Sequence, residues 1–405
     1  MAVQRKSKAE RMKNLKSLIA GINKKEGENV INFASDEEMA QKIKIEFIET
    51  KSPSLNAAFG GYPRGKMTIV TGLSDVGKTN RVLEDIGHNM QQDPDFIGAL
   101  IESEDSVNDE MLDMFGIDRD RFIMYKVDPG TGAETAMDYA ISLAEQGVDL
   151  LLINSLKCLT PSKEFKDSVG DANIGLQARV NAKFCRKVIP VISKSGTALV
   201  CTQHKSTEIG KMYGDPMQLA GGHAIRYNSM LILDLNKVSI QKGDFYFDRK
   251  DECMRIRLRV TKNHCAPTKN PYVSVDYTVI IGEGTDTKGE ILEIAMNTGI
   301  IEKGGAWLRI YEEGVPHEKG KEMILPNGDV CKFNGMSAFT EYLENHNELF
   351  EYIKARVEGC RDPYSLVESL SEEEIQEFEE INNSDFNEES LVEDLDDILA
   401  PAEEE

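Results

Sequence analysis

The sequence predicts an α/β protein built on a mostly parallel, twisted sheet, and three observations carry that prediction. From about Glu46 to Gly299, short apolar runs alternate with amphipathic stretches of helical period, the pattern of successive βαβ units. One of those runs ends in a glycine-bearing turn that opens a helix, an arrangement that aims backbone N–H groups at an anion. The chain has 405 residues, 40% hydrophobic and 29% charged, enough for one large α/β domain with smaller appendages.

The elements are expected in this order. Residues 1–45 begin with a helix from Lys8 to Lys24, where Met12, Leu15, Leu18, Ile19 and Ile22 follow helical spacing. A short strand-like run, Asn29 to Phe33, comes next. Within the core, residues 46–299, strands are expected at Met67–Thr71, Ile97–Ile101, Phe122–Lys126, Leu150–Ile153, Ala198–Thr202, Met230–Leu235, Arg255–Thr261 and Val273–Ile281. Residues 300–360 read as a small α+β domain, and 361–405 as an acidic tail expected to be disordered.

Charge is segmented. Asp362–Glu405 holds 18 acidic residues and no Lys or Arg, so without it the net charge of −23 falls to −5. Met1–Lys25 has the opposite bias, eight basic residues against one Glu. No apolar run reaches the roughly 18 residues that span a bilayer. The charged N-terminus does not fit a secretory signal core, and no membrane partner is expected. Seven cysteines without Cys-x-x-Cys spacing read as reduced thiols of a cytoplasmic protein, not as a zinc site.

Gly72-Leu73-Ser74-Asp75-Val76-Gly77-Lys78-Thr79 fits G-x-x-x-x-G-K-[ST] after a strand and before a helix beginning near Asn80. The glycines let successive N–H groups turn inward on a phosphate. Lys78 supplies a point charge to the β- and γ-phosphates, and Thr79 a hydroxyl to Mg²⁺. The second strand ends in Glu102-Ser103-Glu104-Asp105, acids placed where a water attacking the γ-phosphate could be oriented. Asn154 follows the Leu150–Ile153 strand where an acid would hold the metal's water shell. It keeps an oxygen but lacks the charge, so weaker Mg²⁺ binding is expected.

From about Asn14 to Gly359 the chain resembles the RecA family. The markers are the phosphate loop, Ser52-Pro-Ser-Leu-Asn56, Gly170 to Arg179, Gly214-Asp-Pro216, Gly221-Gly222, Gly282-Glu-Gly284 and Gly304-Gly-Ala-Trp307. The acidic tail and the divergent details resemble phage-encoded members, which would act in an infected host or a bacterial cytoplasm. The resemblance implies a RecA-like P-loop ATPase core that uses ATP and Mg²⁺. It further implies a homo-oligomeric helical filament on single-stranded DNA and pairing with double-stranded DNA, with single-strand-binding and loader proteins as accessory partners. By the same resemblance Glu104 activates water and Gln203 senses the γ-phosphate. Lys262 and His264 reach a neighbouring subunit's ATP, and the N-terminal helix and Asn29–Phe33 dock on that neighbour.

Two loops, about Ser162–Ile174 and His204–Ala220, would line the DNA. Arg179 and Arg186 lie seven apart beside the apolar stripe Leu176, Val180, Phe184 and Val188, so both share a helix face and could grip phosphates. Ile174, Lys205, Ile209, Lys211, Met212, Tyr213, Gly221 and Gly222 complete the expected DNA set, with charge for the backbone and apolar groups to wedge between bases. The tail fits a solubilising extension and equally a polyanion competing for the DNA site.

Departures from the family pattern bear on turnover. Asn154 stands for Asp and His264 for Lys, and Met111 and Ile281 occupy the positions expected to sandwich adenine. Neutral at pH 7, His264 is expected to raise DNA-dependent ATP hydrolysis as pH falls through roughly 6.5. Two other functions fit parts of the chain, a ring helicase of the same core fold and a weakly hydrolysing scaffold that uses ATP as an assembly switch.

Overall fold

In the computed structural model the eight runs expected as strands between residues 46 and 299 pair into one sheet, and central ones such as Met67–Gly72 and Leu150–Asn154 are buried on both faces. The described residues are 6–27, 30–166, 175–207, 217–219, 223–241, 246, 249–265, 273–311, 323–325, 328, 330–358 and 368–369. Ile174, Ile209, Lys211, Met212, Tyr213, Gly221 and Gly222 lie outside them, with much of both expected DNA loops and nearly all of the acidic tail. The chain falls into two compact units, residues 1–46 and 47–405.

Across the large unit the strand order is Gly284–Thr285, Val273–Ile280, Cys253–Asn263, Leu231–Val238, Met67–Gly72, Ala198–Thr207, Leu150–Asn154, Gly98–Glu102, Phe122–Lys126. The last six in that order run parallel, and the first three are joined antiparallel. Successive residues of one strand serve opposite cores. Val70, Leu100, Leu152 and Val200 face the Lys78–Gln92 helix side with Val82 and Ile86. Ile69, Ile101, Leu151 and Cys201 pack with Ala140 of helix Ala133–Glu145 and Val188 of helix Leu176–Ser195. A doubly covered, mostly parallel sheet places the C-terminal strand ends along one edge, where ligands bind in such folds.

A third core lies beyond. Strands Ile301–Gly304, Trp307–Ile310 and Lys332–Asn334 form an antiparallel sheet. Leu308, Phe333, Phe339 and Ile353 pack there with Ile291 and Ala295 of helix Thr287–Asn297. Among the described residues no helix is long and apolar enough to cross a membrane.

In the small unit the expected first helix forms at Lys8–Glu26. Ser7 caps it by accepting from Glu10 N at 3.2 Å, and Gly27 ends it at φ 75°. The strand expected at Asn29–Phe33 does not form over its described residues 30–33. The backbone of Ile31 is satisfied instead by one side chain: Asn23 Nδ2 donates to Ile31 O at 2.9 Å, and Asn23 Oδ1 accepts from Ile31 N at 3.0 Å. With a local partner for both groups the segment has no need of a ladder. A helix unmarked by periodicity, Glu37–Ile43, follows.

Candidate functional site

Strand Met67–Gly72 is buried throughout, so the chain must turn sharply where it meets the sheet edge. A Cβ on Gly72 would sit 2.4 Å from Leu235 O, leaving room for glycine alone. Gly77 adopts φ 78° and hands the chain to helix Lys78–Gln92. The Lys78 ammonium curls back over the turn, donating to Leu73 O at 2.7 Å and Gly72 O at 3.3 Å. Burial lowers its pKa against the pull of Glu104 and Asp75. A helix N-terminus, a curled backbone and a buried cation make an anion cradle.

Two neighbouring strand ends face that cradle. Glu102 and Asn154 stand directly opposite each other in register, and both are buried. Asn154 Nδ2 donates to both Glu102 oxygens at 3.2 and 3.0 Å and to Ser106 Oγ at 3.0 Å. Its Oδ1 accepts from Thr79 Oγ1 at 2.8 Å and Thr202 Oγ1 at 2.7 Å. The amide bridges an acceptor on one side and donors on the other, which a carboxylate at 154 could not do beside Glu102. Thr79 Oγ1, Asn154 Oδ1 and Glu102 are hard oxygen donors, so the residues fit Mg²⁺ held jointly with substrate phosphates.

Glu104 lies one turn of loop further on. Its Oε1 accepts from Ser155 Oγ, from His204 Nε2 at 2.9 Å and weakly from Cys158 Sγ at 3.5 Å. Partial burial pushes its pKa up, but the Ser155 and His204 hydrogen bonds outweigh that and hold it low. A carboxylate kept ionised beside a phosphate cradle can take up or orient water. Gln203, fully buried, and His204 lie on strand Ala198–Thr207, with His204 beside Gly72 in register.

That strand runs past the point where the second DNA loop was expected to begin. His204–Thr207 continue it, and Lys205–Thr207 pair antiparallel with Met217–Leu219. Lys205, expected on DNA, is paired with buried Asp234 at 2.8 Å. Lys262 donates to the carbonyls of Arg226 and Tyr227 at 2.8 and 3.0 Å, and burial beside Arg226 pulls its pKa down to about 8. His264 falls just past the strand and is exposed. Partial desolvation by its surroundings and the Lys262 cation depress its pKa, so any rise of activity on its protonation moves below the expected pH 6.5.

Arg179 and Arg186 are exposed on helix Leu176–Ser195 and are paired with no acid among the described residues. Beside the cradle, Asn80, Met114, Phe115, Ile281 and Gly282 line a cleft. Ile281 is 60% exposed there, while Met111 is packed against the core and is not among the lining residues. Sequence reasoning placed Glu102 among the acids at this strand end but not its pairing with Asn154, and it missed His204 as part of the site. The register that opposes Glu102 to Asn154 could have signalled the first, whereas the reach of His204 across to Glu104 left no signal.

Residues 13–286 match the RecA N-terminal domain. The proteins named Protein RecA from Corynebacterium urealyticum and Aquifex aeolicus are 27% and 28% identical over 376 and 368 residues, covering 91% and 90% of this chain and 96% of their own lengths. Protein RecA from Cutibacterium acnes is 29% identical over 328 residues, 80% of this chain and 90% of its own. A match over most of the chain, on a doubly covered sheet that carries the phosphate loop at its ligand edge, places it: the chain belongs to the RecA family.

Proposed function

We propose that this chain is an ATP-dependent recombinase that polymerises on single-stranded DNA and promotes homologous pairing and strand exchange. The observation that carries the proposal is the convergence of Lys78, Thr79 and Glu104 on one cradle, beside the strand that runs through Gln203 and His204 toward the expected DNA loop.

Lys78 and the turn N–H groups bind and orient the phosphates, and Thr79 with Asn154 and Glu102 would hold the metal. Bound Mg²⁺ supplies charge neutralisation on the phosphate oxygens. Glu104 positions the attacking water, and its low pKa keeps it ready to accept a proton at neutral pH. Lys262 and His264 would complete the site from an adjacent subunit, so that ATP favours the assembled filament and hydrolysis its release. The exposed Arg179 and Arg186 face is the expected phosphate grip for DNA. Sequence specificity then comes from base pairing between strands. Single-strand-binding and loader proteins are the expected accessory partners.

The test is ATP hydrolysis with and without single-stranded DNA, for wild type and Lys78→Ala. The expected outcome is strong stimulation by DNA that vanishes in the variant, followed by strand exchange in the wild type. Tight DNA binding without stimulation would favour the ATP-switched scaffold, which the uncharged Asn154 makes the natural second reading.

A further inference from the structure

Glu104 sits in a loop beyond its strand, and a glutamate side chain has enough torsional freedom to lose its aim unless something holds it. All three of its donors converge on Oε1: Ser155 Oγ, His204 Nε2 at 2.9 Å and Cys158 Sγ at 3.5 Å. Among the described residues Oε2 accepts no hydrogen bond, which leaves that oxygen for water. A carboxylate can only accept here, so His204 must carry its proton on Nε2. The thiol is a weak donor, so Ser155 and His204 do the fixing.

The two fixings differ in what stands behind them. Ser155 is buried and follows the strand that carries Asn154. His204 is half-buried on the strand that carries Gln203, one residue before Lys205, which is anchored to Asp234 at 2.8 Å. Lys205–Thr207 of that strand pair antiparallel with Met217–Leu219. The residues between, 208–216, belong to the expected DNA loop. His204 thus joins Glu104 to the strand end that precedes the expected DNA loop.

We propose that His204 is a positioning residue for ATP hydrolysis: donating from Nε2 to Glu104 Oε1, it sets the carboxylate so that Oε2 meets the water, and it links that setting to the strand leading into the DNA loop. The proposal deepens the recombinase reading and rests on it for the link to DNA. The donor, not the imidazole as such, is what the role requires, so glutamine should substitute and alanine should not.

The experiment compares wild type, His204→Ala and His204→Gln as full-length protein. The readouts are the kcat and KM for ATP with and without single-stranded DNA, DNA affinity, and the thermal midpoint. His204→Ala should lower DNA-stimulated kcat about tenfold or more, since misaimed catalytic groups cost that much. KM for ATP and DNA affinity should stay within about twofold of wild type. His204→Gln should recover most of the rate. Wild-type kcat in His204→Ala would overturn the proposal. So would equal losses in both variants together with a lowered thermal midpoint, the mark of a merely structural histidine. If DNA stimulates no variant yet basal kcat shows the same alanine loss and glutamine recovery, the recombinase reading falls and the positioning role stands.

Discussion

Asn154 occupies the position where an acid was expected, and its surroundings give the reason it is an amide. Glu102 lies 3.0 Å from its nitrogen, while Thr79 and Thr202 donate to its oxygen. An aspartate there would set two buried carboxylates against each other, and like charges at that range resist joint ionisation. The acid missing at 154 is therefore matched by the acid one strand away, at Glu102. Asn154→Asp should lower the thermal midpoint in EDTA, a destabilisation of about 1–3 kcal/mol for a broken buried network. Mg²⁺ with a non-hydrolysable ATP analogue should restore much of it. Thermal melts under both conditions check this, and an unchanged midpoint in EDTA would show that the amide is not required.

Helix Leu176–Ser195 shows how one element serves packing and function at once. Phe184, Cys185, Val188 and Ile192 are buried against the sheet, and the opposite face carries Arg179, Lys183 and Arg186, all exposed. Lys183 completes a basic row at helical spacing that the two arginines alone only suggest. Lys187 is drawn away to Asp138 at 3.2 Å. If both arginines contact the phosphates of single-stranded DNA, Arg179→Ala with Arg186→Ala should reduce the slope of log K against log salt by about 1.4. The loss should be equal across DNA sequences. Equilibrium binding at several salt concentrations measures the slope, and an unaltered one would leave this face as solvated surface.

At the scale of the large unit, a buried polar seam ties the beginning of the core to its end. Arg81 is enclosed with Asp85 and lies 3.2 Å from Glu84. Lys51 and Thr285 both reach Glu84. Glu290, on helix Thr287–Asn297, accepts from Ser52 Oγ at 2.6 Å and Ser54 N at 3.3 Å. Burial pushes the Glu290 pKa from its usual 4.5 up to about 7, against those hydrogen bonds. Between these values the folded protein holds a proton that the unfolded chain has released. Its contribution is therefore intact below about pH 4.5, declines as pH rises, and is fully lost above about pH 7. Glu290→Gln should match wild type near pH 4.5 and exceed it by about 3 kcal/mol at pH 8, from a shift of that size in a fully buried group. Denaturation at the two pH values tests this, and a difference independent of pH would contradict it.

The sequence by itself determined the strands, the phosphate turn and the family, because these depend on local pattern. Apolar runs, two glycines and a Lys-Thr pair at fixed spacing mean the same thing wherever they fold. The expected strands appear within a few residues of their places, and the first helix forms as its period and its Ser7 cap require. Tertiary structure decided what depends on which neighbours arrive. The run Asn29–Phe33 reads as a strand, yet Asn23 satisfies Ile31 and no strand forms over residues 30–33. His204 looked like the start of a loop, but pairing with the phosphate-loop strand keeps it extended beside Gly72. Lys205 looked free for DNA until Asp234 was brought beside it. Asn154 looked like a missing charge until Glu102 stood opposite. In each case the residue's chemistry was legible in one dimension, and its partner, hence its charge and its role, was set by contacts between distant segments.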